Sequence, residues 1–478
     1  KNINHAKNRE IRSIMSETVL DKIVKLRRAD IASLAAEKPL STFEGSLTQS
    51  DRDFYTAIEA RKTANLPAYI LECKRSSPSK GVIREDFDLK TIAGTYNDYA
   101  TAISVLTEAR HFGGDFENIE IAKSVTTCPI LCKDFVVDVY QIYLARHYGA
   151  NAVLLMLSVL RDDEYRYLAN IAHELGMGVL TEVNDEAEVR RALKLRAKVI
   201  GINNRDLRDL SIDLHKTERL RQLMPADQIV ISESGIRSYG EIRTISQFAD
   251  GFLIGSHLMG SDNLERALQE LLTGGHKVCG LTSVEDAKAA FDAGAQYGGL
   301  IFILTSPRGV TYRQAKEIAG SVPLNFIGVF QNDDIDAILF ITKEVGLHAV
   351  QLHGNEPQHY IDELRAKLPS EVKIIKAVNI QNGATELPAM DYQHVDYYLL
   401  DGKKGGSGEP FDWSLLKGQD LSNLFLAGGI SSHNIEEALS FHPLGVDINS
   451  GVESEPGKKD ATKLQKIFAQ IVEYKRQS

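Results

Sequence analysis

The chain has 478 residues, too many for one hydrophobic core, and at roughly 150 to 250 residues per domain it should form two large domains. Hydrophobic residues at 43% and charged residues at 25% are ordinary for globular proteins with sizeable cores, which excludes wholesale disorder. A net charge of -10 spread over this length lacks the basic face that nucleic acid or an anionic membrane demands, so small molecules are the expected partners.

Four cysteines, Cys73, Cys128, Cys132 and Cys279, are too few for a disulfide framework and suit a reducing cytoplasm, the expected location. No apolar run reaches the roughly 18 residues of a membrane span, and Lys1 to Glu17 lacks the apolar core of a secretion signal. Cys128 and Cys132 straddle a strand start without nearby ligand partners, and no dinucleotide fingerprint is present, so neither metal nor cofactor is expected.

From Met15 to about Ala36, Ile23, Val24, Leu26, Ile31 and Leu34 recur at near-helical spacing, predicting a packing helix ahead of the main fold. Apolar runs then alternate with helical stretches: Ala68 to Lys74, Ala102 to Glu108, Pro129 to Phe135, Ala152 to Leu157, Gly178 to Val183, Lys198 to Asn204, Ile229 to Ser234 and Gly251 to Met259. Nearly continuous apolar strands separated by helices such as Tyr140 to His147 and Glu164 to Leu175 indicate a parallel sheet covered on both sides. Eight of them suggest closure into a (β/α)8 TIM barrel.

Polar residues gather where these strands end, on the rim where such barrels carry their chemistry. Glu72 and Lys74 close strand 1, Lys133 strand 3, Glu182 strand 5, Asn203 strand 6, and Glu233 and Ser234 strand 7. Strand alternation puts Glu72 and Lys74 on one face and turns Cys73 to the other, as a small core residue. Any one charge could belong to a solvated rim, but several acids and bases converging on one mouth are costly and mark an active site. After strands 7 and 8, Gly235 and Gly255-Ser256 offer backbone N–H groups for a phosphate.

Leu271-Leu272-Thr273-Gly274-Gly275 closes a helical pattern, and Lys277-Val278-Cys279 opens a new strand, setting domains at 1–273 and 274–478. The alternation then repeats: Lys277 to Leu281, Gly299 to Ile303, Phe326 to Phe330, Ala349 to Gly354, Lys373 to Val378, Tyr397 to Asp401, Leu424 to Gly429 and Gly445 to Asn449. The fold class is thus α/β, two tandem (β/α)8 barrels, the first with an extra N-terminal helix. Cys279 ends one strand and Asp401 another, and a thiol facing a carboxyl could act as base and acid. Taken singly, a strand cysteine is ordinarily inert core, and Gly405-Gly406-Ser407-Gly408 could be a plain flexible loop.

The first half resembles indole-3-glycerol phosphate synthase. The resemblance rests on Glu72 to Gly81 (Glu-Cys-Lys-Arg-Ser-Ser-Pro-Ser-Lys-Gly), Leu106-Thr107-Glu108, Leu131 to Phe135, Leu180 to Val183, Gly201 to Leu207, Ser232 to Ile236 and Leu253 to Ser256. It implies decarboxylation, ring closure and dehydration of a carboxyphenylamino-deoxyribulose phosphate. Lys133 would be the general acid at the ketone oxygen, Lys74 would pair with the substrate carboxylate or also donate a proton, and Glu182 would assist closure and dehydration. Glu72, Asn203 and Glu233 would orient these groups and the ribulose hydroxyls. Which lysine serves which proton step stays open. Arg205 would restrain a loop by ion pairing, Phe112 and Phe135 would wall the anthranilate ring, and Ser234, Gly235, Gly255 and Ser256 would take the phosphate.

The second half resembles phosphoribosylanthranilate isomerase, through Lys277 to Thr282, Thr305 to Arg308, Val350 to Gly354, Leu399 to Asp401 with Gly405 to Gly408 and Phe411 to Trp413, Leu426 to Ile430, and Val446 to Glu453. That implies an Amadori rearrangement in which Asp401 protonates the ring oxygen and Cys279 removes a proton from the carbon beside the imine. Arg308 would bind the anthranilate carboxylate, Gly428, Gly429, Ser450 and Gly451 the phosphate, and Asp447 would lie near the sugar hydroxyls. His353 reads as a structural strand-end histidine. The two halves together resemble a bifunctional tryptophan-biosynthesis fusion in which the product of the second half feeds the first. The rival expectations are one barrel decayed into a binding or structural module, or a generic phosphate-binding barrel. Self-contained barrels make a monomer the expected state.

Overall fold

The structure, a computed structural model, describes residues 17–402 and 410–477. It divides into two compact units, Lys1–Arg237 with Glu241–Ala267, and Ser238–Gly240 with Leu268–Ser478. Each contains a closed barrel of eight parallel strands.

The first barrel is built from β1 (Ala68–Cys73), β2 (Ala102–Leu106), β3 (Ile130–Lys133), β4 (Ala152–Met156), β5 (Gly178–Val183), β6 (Val199–Asn203), β7 (Ile229–Glu233) and β8 (Gly251–Ile254), with β8 pairing back to β1. All eight apolar runs read from the sequence are strands. The last run, Gly251 to Met259, outlasts its strand: Ser256–Met259 is a short helix. Its apolar residues look like a continuing buried strand, and the turn comes at Gly255, whose added Cβ would fall 3.0 Å from the Glu72 carboxylate.

The N-terminal helix spans Val19–Glu37 and starts on a Thr18 and Asp21 capping box. Its Leu20 and Ile23 join Phe54 and Ile58 against barrel residues Ala68, Ile70, Ala152 and Val199, and burial of each large side chain is worth about 1.5–3 kcal/mol. Leu26, expected on the apolar face, is exposed, and Arg27 is buried instead. Arg27 Nε donates to Asp134 Oδ1 at 2.8 Å, so a buried ion pair occupies the slot that hydrophobic periodicity assigned to leucine.

The helix Leu264–Thr273 ends at Gly274, whose φ of +98° is the left-handed conformation expected of a closing glycine. The second barrel follows as β9 (Lys277–Val278), β10 (Tyr297–Ile301), β11 (Asn325–Phe330), β12 (Ala349–Leu352), β13 (Lys373–Ile380), β14 (Tyr397–Gly402), β15 (Leu424–Leu426) and β16 (Gly445–Ile448). Strand β9 is two residues long. Cys279 continues its direction, donating its backbone N–H to Ile448 O at 2.9 Å.

Candidate active sites

In the first barrel, one cavity at the C-terminal ends of the strands is lined by Lys74, Lys133, Glu182, Asn203, Arg205, Ser234, Ser256, Phe112 and Phe135. Glu72 and Glu233 lie beneath it, fully buried. Glu72 bridges both lysines: Lys133 Nζ is 2.7 Å from Oε2 and Lys74 Nζ 3.0 Å from Oε1. Desolvation opposes its charge, but Lys133 and then Lys74 win, holding the carboxyl at about 2. For Lys133, desolvation is outweighed by Glu72, Glu233 and Glu182, so its ammonium is held above the ordinary lysine value. Burial lowers Lys74, and the Lys133 and Arg205 charges add to this against Glu72.

Glu233 is pushed well above the carboxylate range by desolvation and then by Glu182, so it enters the site as a neutral acid beside a second carboxyl. Its place is made by Gly201, where a Cβ would sit 2.1 Å from Glu233 Oε1. Ser234 takes a left-handed φ of +70° and donates its hydroxyl to Asn203 Oδ1 at 2.9 Å, tying β6 to β7 at the rim. Lys74 Nζ donates to Ser256 Oγ at 3.1 Å. Phe112 and Phe135 face each other with ring centroids 6.0 Å apart, forming an apolar wall opposite the charged floor.

The second barrel has its own cavity, lined by Cys279, Arg308, Gln351, His353, Asp401, Gly428, Gly429, Asp447, Asn449 and Ser450. Cys279 packs on Ile301 and Val329, and this desolvation raises its thiol above the ordinary value while Lys277 pulls it down. Asp401 is raised to about 6 by desolvation and then by Asp447, which leaves a carboxyl able to carry a proton near neutrality. Gly428, at φ +87°, lets the backbone pass close to this acid: a Cβ there would lie 2.7 Å from Asp401 Oδ1. Arg308 is held bidentately by Glu453, Nη2 to Oε1 at 2.6 Å and Nε to Oε2 at 3.0 Å.

Two family models match in order: indole-3-glycerol phosphate synthase over residues 20–271, and N-(5'-phosphoribosyl)anthranilate (PRA) isomerase over residues 276–470. The tryptophan biosynthesis protein TrpCF of Salmonella typhi is 51% identical over 458 residues, covering 96% of this chain and 100% of that protein. The Vibrio cholerae TrpCF is 50% identical over 460 residues, covering 95% and 96%. That of Yersinia pestis is 48% identical over 465 residues, covering 97% and 96%. The chain belongs to the bifunctional TrpCF family.

Its first barrel is an indole-3-glycerol phosphate synthase and its second a phosphoribosylanthranilate isomerase, joined in one enzyme of tryptophan biosynthesis. Both mouths keep an acid-base set, so a decayed barrel is not the favoured account. No helix among the described residues is long and apolar enough to cross a membrane.

In the synthase barrel every polar strand-end residue read from the sequence reaches the cavity or its floor. Gly235, at φ +83°, and Gly255 stand beside Ser234 and Ser256 at the rim without lining the cavity. Arg205 departs from expectation. Among the described residues it makes no ion pair, and it holds its loop by donating Nη1 to the Leu210 carbonyl at 3.1 Å. Asp134 and Glu108, beside Lys133 and Thr107 in the motifs Leu131 to Phe135 and Leu106 to Glu108, also line this mouth, and nothing in the strand-end pattern marks either.

In the isomerase barrel the expected residues line the cavity except Gly451, which sits where a Cβ would fall 2.0 Å from Ile430 O and serves backbone packing. His353 lies in the mouth with Nε2 3.9 Å from Asp401 Oδ2, and burial lowers it toward the neutral form. Gln351, Asn449, Glu453 and Lys277 carry no role in the sequence reading, although all four lie within its motifs. Gln351 stood inside the quoted stretch Val350 to Gly354, where the neighbouring His353 drew attention. Gly405 to Gly408 lies outside the described residues.

Proposed function

We propose that the isomerase barrel works with Asp401 as general acid and Cys279 as general base. Asp401 gives its proton to the furanose oxygen of phosphoribosylanthranilate as the carbon–oxygen bond opens. The Cys279 thiolate then takes the proton from the carbon beside the imine, and the enol collapses to the aminoketone. The protein ends with an Asp401 carboxylate and a Cys279 thiol, and solvent resets the pair, so no proton is gained or lost overall. The observation that carries this reading is one cavity holding a desolvated thiol and a carboxyl raised to about 6, beside a guanidinium fit for the anthranilate carboxylate. Gly428, Gly429 and Ser450 take the phosphate, and Asp447 faces the sugar hydroxyls.

The product, carboxyphenylamino-deoxyribulose phosphate, is the substrate of the synthase barrel. There Lys133 protonates the ketone oxygen as the ring carbon attacks. Lys74 pairs with the carboxylate that leaves as carbon dioxide, and the Glu182 and Glu233 pair moves the protons of closure and loss of water. Support comes from Glu72, which keeps Lys133 charged, and from the neutral Glu233 beside Glu182. Asn203 orients the hydroxyls, Phe112 and Phe135 wall the aromatic ring, and Ser234, Gly235, Gly255 and Ser256 receive the phosphate. The domain boundary is at Thr273, and the protein acts as a cytoplasmic monomer, which sedimentation would test.

Two sets of variants decide the two-site reading. Lys133→Met should abolish indole formation and spare isomerisation, while Cys279→Ala or Asp401→Asn should do the reverse. Loss of isomerisation in Lys133→Met, or of indole formation in the other two, would overturn it.

A further inference from the structure

Beneath the isomerase cavity lies a lysine with no contact to solvent. Lys277 is 0% exposed, on the strand that leads into Cys279, and alternation along the strand puts the two side chains on the same inward face. Its ammonium donates to Gln351 Oε1 at 2.7 Å and to Asp447 Oδ2 at 3.1 Å. A charge buried this deeply is costly, and an apolar residue would fill the space with less penalty. The neighbouring Asp447 Oδ1 is buried without a hydrogen-bond partner.

We propose that Lys277 is a positioning residue for the isomerisation, its buried ammonium stabilising the thiolate form of Cys279 that takes the proton from carbon. The charges facing Cys279 come from every side of the mouth. Lys277 stands on its own strand and Asp447 on β16. Arg308 follows β10, and Lys459 lies on the hairpin after β16, where it meets Glu453 at 3.2 Å. Arg308 and Lys459 against Glu453, with Lys277 against Asp447, make three cations and two carboxylates. His353 is neutral by burial, so in the form with Asp401 protonated one positive charge remains for a thiolate to balance.

The ion pair is also oriented. The strongest charge on the thiol, after desolvation, is Lys277, and the strongest on Asp401 is Asp447. The cationic end therefore favours the thiolate and the anionic end favours protonated Asp401, which is the state the reaction needs at its start. Gly299 completes the arrangement: a Cβ there would lie 2.5 Å from the Cys279 sulfur, so only glycine leaves the thiolate its room.

The proposal rests on Cys279 being the base, and the two can fail separately. The test follows iodoacetamide alkylation of the Cys279 peptide by mass spectrometry across pH in the full chain, alongside isomerase kcat and binding of the reduced product analogue. In Lys277→Met the alkylation midpoint should rise by at least about one pH unit, so that alkylation near neutrality falls about tenfold, with kcat falling in parallel and analogue binding kept. Lys277→Arg should restore part of both. Asp447→Asn should shift the midpoint the opposite way, and it serves alone if Lys277→Met fails to bind the analogue. An unchanged midpoint in Lys277→Met that still binds, or an unchanged or raised midpoint in Asp447→Asn, would overturn the role of Lys277. Full isomerase activity in Cys279→Ala would instead remove the base assignment.

Discussion

Glu72 Oε2 lies 2.7 Å from the Lys133 ammonium, and its other oxygen lies 3.0 Å from Lys74, so one buried carboxylate carries two lysines of the synthase mouth. Ser104 fixes it further by donating its hydroxyl to Oε2 at 3.1 Å. Glu72→Gln would leave two ammonium groups facing each other without the carboxylate that bridges them. It should lower unfolding stability by about 3–5 kcal/mol in urea titrations and abolish indole formation while isomerisation persists. Because the folded carboxyl sits at about 2, the stabilisation is fully present above the ordinary carboxylate range and is lost as pH falls through about 2.

The pH dependence of the isomerase follows from its inverted protonation. In the proposed mechanism the reaction needs protonated Asp401, held at about 6, and ionised Cys279, which burial raises. The product of these two fractions rises about tenfold per pH unit below the Asp401 value, stays flat, and falls above the thiol value. Isomerase kcat/KM should therefore show an ascending limb near 6 and a descending limb above the ordinary thiol range of about 8.5. A profile that is flat through the ascending region would remove Asp401 from the acid role.

Both barrels were legible because a parallel strand buried on both faces must be apolar throughout, and its catalytic residues must stand where that run stops. Lys74, Lys133, Glu182, Cys279 and Asp401 all announced themselves in this way. What escaped was pairing across distance. Lys277 and Asp447 meet at 3.1 Å from opposite ends of the second half, and nothing local to either residue encodes the other. Glu453 was quoted within a motif, but its grip on Arg308 depends on the hairpin Glu453–Glu455 with Lys458–Lys459 folding back to the mouth. The last strand of the first barrel was overextended because apolar residues in a short helix and in a buried strand read alike.

The N-terminal helix is tied to catalysis through Arg27. Its guanidinium pairs with Asp134, the residue after Lys133, and Thr107 donates its hydroxyl to the same carboxylate at 2.6 Å. Arg27 Nη2 also reaches the Thr107 carbonyl at 3.2 Å. Arg27→Met should strand a buried carboxylate, lowering stability by about 3–5 kcal/mol. Freed from this clamp, Lys133 should lose alignment, so that indole kcat falls more than KM rises. Thermal unfolding and steady-state kinetics measure both effects, and an unaltered kcat would show that the pair only fastens the helix.

Gly428 is the cheapest place to perturb the isomerase acid. Its φ of +87° disfavours any L side chain, and a Cβ would stand 2.7 Å from Asp401 Oδ1 and 3.1 Å from the Gly402 nitrogen. The carboxyl is that of the proposed acid, and the nitrogen belongs to β14. Gly428→Ala must therefore move Asp401 or the turn proposed to bind the phosphate, and a displacement near one ångström costs about a hundredfold in rate. Isomerase kcat/KM should fall by about that factor while indole formation in the other barrel is unchanged. If Asp401 is the group displaced, the ascending limb near 6 should also shift, because the carboxyl leaves the desolvated contact that raised it. A lower rate with the limb in place would assign the damage to the phosphate turn instead.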